Sequence, residues 1–504
     1  VAEERGQARD QWAGKLGFML AAIGSAVGLG NIWRYPYIAY ENGGGAFLVP
    51  YFIALVTAGI PVLILEYALG HKYRSAAPFS FRALSQRWEW LGWWQIGVSF
   101  FIITYYMVII GWVLSYCYYS FGTRWGSDPD TFFNESFLGL SAGFWEFGGL
   151  QWRVLLATAI AWILTYWLLQ RGVSRGIELA SKILIPALVV MILIFVVRGL
   201  TLPGAVDGLN VLLTPDFSAL LNPSVWVAAY GQIFFSLSVG FSIMIAYASY
   251  LNRRSDLTNS AFIVALSNTG FEFLAALGVF SVLGFLAFQQ NATVDEVVTS
   301  GIGLAFVAFP QIINELPGLN SFFGVIFFGA LLFAGVTSAV SILECAIAGV
   351  REKFGLTRRA AVNWVCGLAA LVSIIYATRG GLYYLDVVDR WMNNYGLVLT
   401  GLAEILFVVF VVRRLRSLQD HVNERSYIRA GGWWIIALTA VTPALLGLVT
   451  ILNLYGELTS RYGEYPLSGL LVFGWGLAVL VVVAGFVFQG ITGREDPATA
   501  EENA

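Results

Sequence analysis

The chain has 504 residues, 58% hydrophobic, 15% aromatic and 12% charged, where an ordinary soluble domain carries roughly 25% charge. So little charge cannot cover a water-soluble surface of this size, and a mean hydropathy of +0.72 places the chain in a bilayer. A net charge of −2 and a pI near 5.9 give no electrostatic case for nucleic-acid binding, and no Ser/His/Asp set, metal cluster or phosphate loop points to an enzyme.

Apolar windows of about 20 residues predict twelve spans, at 13–38, 46–70, 91–119, 153–170, 177–198, 226–250, 260–288, 321–350, 360–377, 386–411, 433–455 and 467–490. The polar start runs into Gly- and Asn-rich sequence without an A-x-A cleavage site, and reads as a retained helix, not a signal peptide. Span 1 contains GSAVGLGN (Gly24–Asn31) and span 6 contains SLSVGFS (Ser236–Ser242). Glycines cost a helix about 0.8–1.0 kcal/mol each against alanine, so Gly24, Gly28 and Gly30 weaken span 1 at membrane depth. Unwound backbone is tolerated there only where it lines a cavity. Spans 1 and 6 lie five apart, and a repeat of five spans must insert its second copy upside down, as in inverted-repeat transporters with matched broken helices.

Between spans 7 and 8, the apolar run Ile302–Phe309 ends at Pro310 and is too short to cross; an external hairpin packed on the bundle is expected. Twelve spans put both termini on one side. Placing them inside puts 22 of the 29 Lys and Arg in the tails and loops of that side, so both termini are expected in the cytoplasm. Cys117, Cys345 and Cys366 lie in or beside apolar runs without a CxxC pair and read as buried thiols. His71 and His421 fall in charged stretches between spans, which argues against an intramembrane imidazole relay. Short outer loops without a cysteine pair favour a prokaryotic inner membrane.

The run GLGNIWRYPYIAYENGGGAFLVPY (Gly28–Tyr51) resembles the signature of the neurotransmitter:sodium symporter family. GQIFFSLSVGFS (Gly231–Ser242) and AGVTSAVS (Ala334–Ser341) resemble its sixth and eighth helices, in order and with near-constant spacing. The resemblance implies an all-α membrane fold of twelve transmembrane helices, with an N-terminal latch at 1–12 and a first five-helix repeat at 13–198. A second, inverted repeat follows at 226–411, then helices 11 and 12 at 433–490 and a cytoplasmic tail at 491–504. It also implies sodium-coupled symport of a neutral amino acid by alternating access, with the lipid bilayer as the other partner and no organic cofactor.

Anions favour helix N termini, so a substrate carboxylate suits the start of span 1's second half, near Gly28 to Gly30, where Tyr106 can donate its hydroxyl. By resemblance the substrate site comprises Ser25, Ala26, Gly28, Gly30, Ile102, Tyr106, Phe235, Ser236, Ser238, Phe241, Ser338 and Ile342. The set carries no charge, which suits a neutral and hydrophobic amino acid. Two sodium ions are implied. One takes the Ala26 carbonyl, Asn31, Ser236, Asn268 and the substrate's own carboxylate; the other takes the carbonyls of Gly24, Val27 and Ala334 with the hydroxyls of Thr337 and Ser338. At Ser236 the leucine-transporting bacterial members have Thr, but the hydroxyl is kept. Monoamine-transporting members have Asp where this chain has Gly28, which disfavours monoamines.

The resemblance also assigns gates. Arg34 and Asp389 would pair on the outside above an aromatic lid of Tyr106 and Phe241, while Arg9 and Trp12 with Glu352 would form the inner latch, where the family commonly has Asp at the acidic position. Glu272, four residues after Asn268 and on nearly the same face of span 7, stands where chloride-dependent relatives typically have Ser. Beside Tyr51, Gln232 and Ser236 it would supply chloride's negative charge itself, so transport is expected to be chloride-independent, with Glu272 protonated on the empty return. An amino-acid sensor or channel on the same scaffold is the alternative from another class; gate residues on both faces argue for a transporter.

Overall fold

The structure, a computed structural model, describes residues 10–299 and 301–493; Arg9 of the expected latch lies outside them. Among the described residues there are two isolated β-bridges, Gly44 with Pro215 and Leu150 with Thr378, and no strand. A bilayer offers the backbone no water to bond, so each crossing segment satisfies its amides within itself.

Among the described residues, ten helices are long and apolar enough to cross. They are span 2 (Gly45–Tyr73), span 3 (Gln86–Tyr119), span 4 (Trp152–Gln170), span 5 (Val173–Leu200) and span 7 (Leu257–Gln290). Span 8 (Asn320–Phe354), span 9 (Arg358–Ala377), span 10 (Gly381–Val411), span 11 (Gly432–Glu464) and span 12 (Leu467–Gly490) complete the set. Span 1 is a pair of helices, Lys15–Ala26 and Leu29–Glu41, bent by 52°. Span 6 is likewise a pair, Pro223–Ser236 and Ile243–Ser249, with 237–242 between them outside the helical ladder.

The apolar windows of spans 3, 7 and 8 are 78% buried, against 28% and 22% for spans 11 and 12; the first three form the core and the last two the rim. Large apolar side chains such as Leu156 and Ile163 on span 4, Val190 and Val197 on span 5 and Val479 on span 12 are exposed. In water such a surface drives association; here it is the lipid face.

The two broken spans sit inside this core. The first half of span 1 packs against spans 5, 7 and 8, its second half against span 7, and the second half of span 6 lies along span 2. That last approach requires glycine, because a Cβ on Gly70 would stand 1.9 Å from the Ile245 carbonyl oxygen. The segment between spans 7 and 8 forms short helices, and its Phe306 stacks on Phe133 at 5.3 Å and meets Trp112 edge-on, as a packed hairpin should.

His71 departs from the expectation. Span 2 continues past residue 70, so His71 lies in its last turn, 5% exposed, with Nδ1 2.9 Å from His421 Nε2 and Nε2 2.9 Å from the Asn252 carbonyl oxygen. The three cysteines are free, with Cys345 and Cys366 buried.

Candidate functional site

Span 1 breaks where its glycines predict. Val27 leaves the helical region (φ −76°, ψ 89°) and Gly28 is extended (φ −113°, ψ −169°). Asn31 then serves the new helix start, its Oδ1 accepting the Gly28 N–H at 2.9 Å, because first-turn amides have no partner within the helix.

Span 6 breaks differently. Ser238, Gly240 and Ser242 take φ values of 53°, 81° and 61°, a region that costs a non-glycine residue roughly 1–2 kcal/mol. Three neighbouring spans stabilise the unwound backbone: the Gly240 N–H donates to Glu66 at 2.5 Å, Ser99 donates to the Phe241 carbonyl at 2.8 Å, and Thr400 donates to the Gly240 carbonyl at 3.1 Å. These partners are absent from the sequence-based set. For Glu66 a signal existed, a carboxyl group inside an apolar run, the same feature that marks Glu272; Glu404, fully buried and accepting from Gln95 Nε2 at 2.7 Å, carries it too. Ser99 and Thr400 carry none, since a hydroxyl in a membrane helix usually bonds its own helix.

A cavity of about 670 Å³ opens from the two breaks toward the face opposite the N-terminal segment. Ser25, Ala26, Gly28, Gly30, Ile102, Tyr106, Phe235, Ser238, Phe241, Ser338 and Ile342 all line it. Tyr106 Oη accepts the Leu29 N–H at 3.4 Å, so the tyrosine hydroxyl and the helix N terminus meet at one point. A Cβ on Gly28 would lie 3.1 Å from Ser338 Oγ and 3.3 Å from Tyr106 Oη, so glycine keeps that point open.

Ser236 corrects the expected substrate set. It does not line the cavity: it ends the first helix of span 6 on the side turned to span 7, where its hydroxyl receives the Asn268 amide at 2.5 Å and donates to Glu272 at 2.7 Å. The Asn31 amide approaches it at 3.4 Å and donates to Asn268 Oδ1 at 2.8 Å. Asn31, Ser236 and Asn268 thus form one buried cluster of neutral amide and hydroxyl groups, with Ala26 on the adjoining cavity wall.

The second expected ion set also comes together. Ser338 Oγ lies 3.2 Å from the Gly24 carbonyl and 3.5 Å from that of Val27, while Thr337 Oγ1 donates to the Ala334 carbonyl at 3.0 Å. Both sets are neutral and bring amide-carbonyl, backbone-carbonyl and hydroxyl oxygens together, the donor chemistry that suits a hard monovalent cation. Glu272, fully buried, closes the first cluster from behind, accepting from Gln232 Nε2 and Ser236 at 2.7 Å and from the Tyr51 hydroxyl.

The gate residues divide by face. Arg34 and Asp389 line the same cavity without an ion pair between them: the Arg34 guanidinium lies over the Phe235 ring at 4.6 Å, and Asp389 accepts from Tyr105 at 2.6 Å and Asn393 at 2.8 Å. The expected outer pairing is therefore not made in this open arrangement.

On the N-terminal face, Trp12 Nε1 donates to the Tyr247 carbonyl at 2.9 Å. Glu352 accepts the Ala76 N–H at 2.9 Å. Asp10, which the sequence did not single out, pairs with Arg351 at 2.6 Å and Arg358 at 3.2 Å, and Arg358 pairs with buried Glu344 at 2.7 Å.

Residues 9–128 and 123–491 match the pattern of the Sodium:neurotransmitter symporter family. The chain is 43% identical to an uncharacterized sodium-dependent transporter of Methanocaldococcus jannaschii, over 95% of its own length and 97% of that protein's. It is 30% identical to the sodium- and chloride-dependent taurine transporter of Rattus norvegicus, over 94% of this chain and 83% of the other. With the sodium-dependent dopamine transporter of Caenorhabditis elegans it shares 28% identity, over 97% and 87% respectively.

Proposed function

Because the chain belongs to the sodium:neurotransmitter symporter family and is a sodium-dependent, multi-pass membrane transporter rather than an enzyme, we propose that it carries a neutral, hydrophobic amino acid with two sodium ions and without chloride. The observation that carries the substrate class is the closed end of the cavity: a helix N terminus and the Tyr106 hydroxyl at one point, and a wall of Ile102, Phe235, Phe241 and Ile342 around it. The first suits a carboxylate and the second an apolar side chain. Gly28 brings no carboxylate to meet a lone amine, so a monoamine fits less well.

In this reading the substrate carboxylate completes the oxygen cluster of Ala26, Asn31, Ser236 and Asn268, so ion and substrate are held together. Gly24, Val27, Ala334, Thr337 and Ser338 hold the second ion between spans 1 and 8, where it joins the moving first half of span 1 to the core. Glu272 supplies the fixed negative charge that balances the ions and takes up a proton when they leave.

The N-terminal face is cytoplasmic, in keeping with its basic loops, and the membrane is the cell's plasma membrane. The repeats 13–198 and 226–411 are inverted about the breaks, with spans 1, 2, 6 and 7 moving against the rest. The latch of Arg9 and Trp12, with Glu352, closes the inner path while the outer one is open.

Uptake by proteoliposomes tests this: each of the twenty amino acids is offered with an inward sodium gradient and with potassium replacing sodium. Concentrative uptake of one or more apolar amino acids in sodium alone is expected. Uptake of charged amino acids in preference to these, or no amino-acid uptake at all, would refute the substrate class.

A further inference from the structure

A second hollow lies on the outer surface of the bundle, remote from the breaks. Val190, Leu193, Ile194 and Val197 of span 5 form its floor and Phe323 of span 8 one wall, enclosing an apolar groove of about 470 Å³. None of these residues lines the central cavity. Leu193, Val190 and Val197 are 44%, 55% and 61% exposed, so the groove faces the acyl chains of the bilayer.

Its length is informative. From Val190 to Arg198 the helix rises ~12 Å at ~1.5 Å per residue, and one leaflet's hydrocarbon is about 15 Å deep, half of the ~30 Å core. The groove therefore runs the depth of a single leaflet, the one opposite the N-terminal segment. At its polar end stands Arg198.

The guanidinium of Arg198 is held in place: Nη1 donates to Thr201 Oγ1 at 3.2 Å, and the group lies over the Phe323 ring at 5.7 Å. Among the described residues no carboxylate lies within salt-bridge distance of it. An arginine at a helix end ordinarily extends its charge into water. Here the charge is fixed on a wall of the groove and keeps donors free for an anion.

We propose that this groove binds one anionic glycerophospholipid, with its phosphate and headgroup at Arg198 and one acyl chain along Val190–Val197. A second copy of the chain fits less well. A symmetric contact on this face would bring the two unpaired Arg198 groups toward each other, and the groove is concave where a helix face is convex.

The test uses the full-length protein reconstituted in equal parts of phosphatidylglycerol and phosphatidylcholine, then returned to detergent, with retained lipids counted by native mass spectrometry. Retention of phosphatidylglycerol over phosphatidylcholine by ~5-fold is expected, the effect of about one basic residue near a membrane surface. Arg198→Gln should erase that preference, and Leu193→Trp, which fills the groove, should lower retention of both lipids. Arg124→Gln, on an exposed arginine of the same face, should leave the preference intact. Equal retention of the two lipids by the wild type would overturn the proposal, as would a preference that survives Arg198→Gln or is lost equally in Arg124→Gln. So would a dimer that both groove variants dissolve, which would assign the face to a second copy.

Discussion

On the N-terminal side of the site, Trp12 packs edge-on against Phe18 and Tyr247, Phe18 against Tyr67, and Asp10, Arg351, Arg358 and Glu344 form a chain of ion pairs across them. On the opposite side a cavity of about 670 Å³ separates Arg34 from Asp389, and each is served by a neighbour of its own. The N-terminal face is thus sealed by aromatic packing and a chain of ion pairs that ends on buried Glu344, whereas on the opposite face Arg34 and Asp389 stand apart. With the N-terminal face cytoplasmic, as proposed, this is the asymmetry an outward-open transporter needs. Its inner seal must hold against a full cavity, and its outer gate must respond to what enters.

Filling the outer cavity's closed end should have the largest effect. Gly28→Asp places a carboxylate between Ser338 and Tyr106, where the substrate's own is proposed to lie. Two like charges about 4 Å apart at an effective dielectric near 20 repel by about 4 kcal/mol, so amino-acid binding by calorimetry or radioligand should weaken roughly a thousandfold. Gly28→Ala, adding only a tight methyl, should weaken it far less. Equal effects would show that volume, not charge, governs this point.

Breaking the inner seal comes next. Arg358→Ala leaves Glu344 fully buried without its cation, a loss of about 3 kcal/mol, at the low end for buried pairs because the Tyr250 hydroxyl still serves the carboxylate at 2.9 Å. Thermal stability should fall, and alkylation of the buried Cys345 next to Glu344 should speed up when Cys117 and Cys366 are replaced by serine. Unchanged reactivity would mean that the ion pairs do not hold the inner path shut.

At the breaks themselves, Asn268→Ala removes one oxygen from the cluster with Asn31 and Ser236. Sodium and substrate affinity should both drop, each by about tenfold, since one coupling factor must appear in either titration. Lost sodium affinity with substrate affinity intact at saturating sodium would separate the two sites.

The smallest effect concerns pH at the inner face. Outside the spans, burial and the nearby His71 and Lys72 push the His421 imidazole down from 6.5 to about 4, against a weaker opposing pull from Glu424. Below pH ~6.5 the unfolded chain binds a proton that the folded protein refuses, so this site's contribution to stability shrinks as pH falls from 6.5 toward 4. In His421→Asn, the melting temperature should decline less over that window than in the wild type; parallel curves would exclude the histidine as the cause.

Much of this asymmetry was legible in the residues. Glycines and serines at membrane depth mark both breaks because a bilayer otherwise enforces a regular helix, and Glu272 announces itself as a carboxyl group in an apolar run. The partners of the span 6 break were harder to read. Glu66 and Thr400 meet Gly240 only after spans 2, 6 and 10 are packed, and left-handed serines leave no trace in a pattern of residue types. Asp10 resembles any solvated charge until the turn between spans 8 and 9 brings Arg351 and Arg358 to the same point. The expected Arg34 to Asp389 contact is not made here, and residue types do not encode which arrangement is populated.

In the proposed mechanism one neutral amino acid and sodium share the site between the two breaks while Glu272 stands in for chloride. Its most direct test is equilibrium binding of a radiolabelled apolar amino acid to the purified protein in sodium chloride, sodium gluconate and potassium chloride. Binding should be equal in the two sodium salts and absent in potassium, and in Glu272→Ser it should survive in sodium chloride alone. Equal binding in potassium, or wild-type binding that needs chloride, would contradict the account.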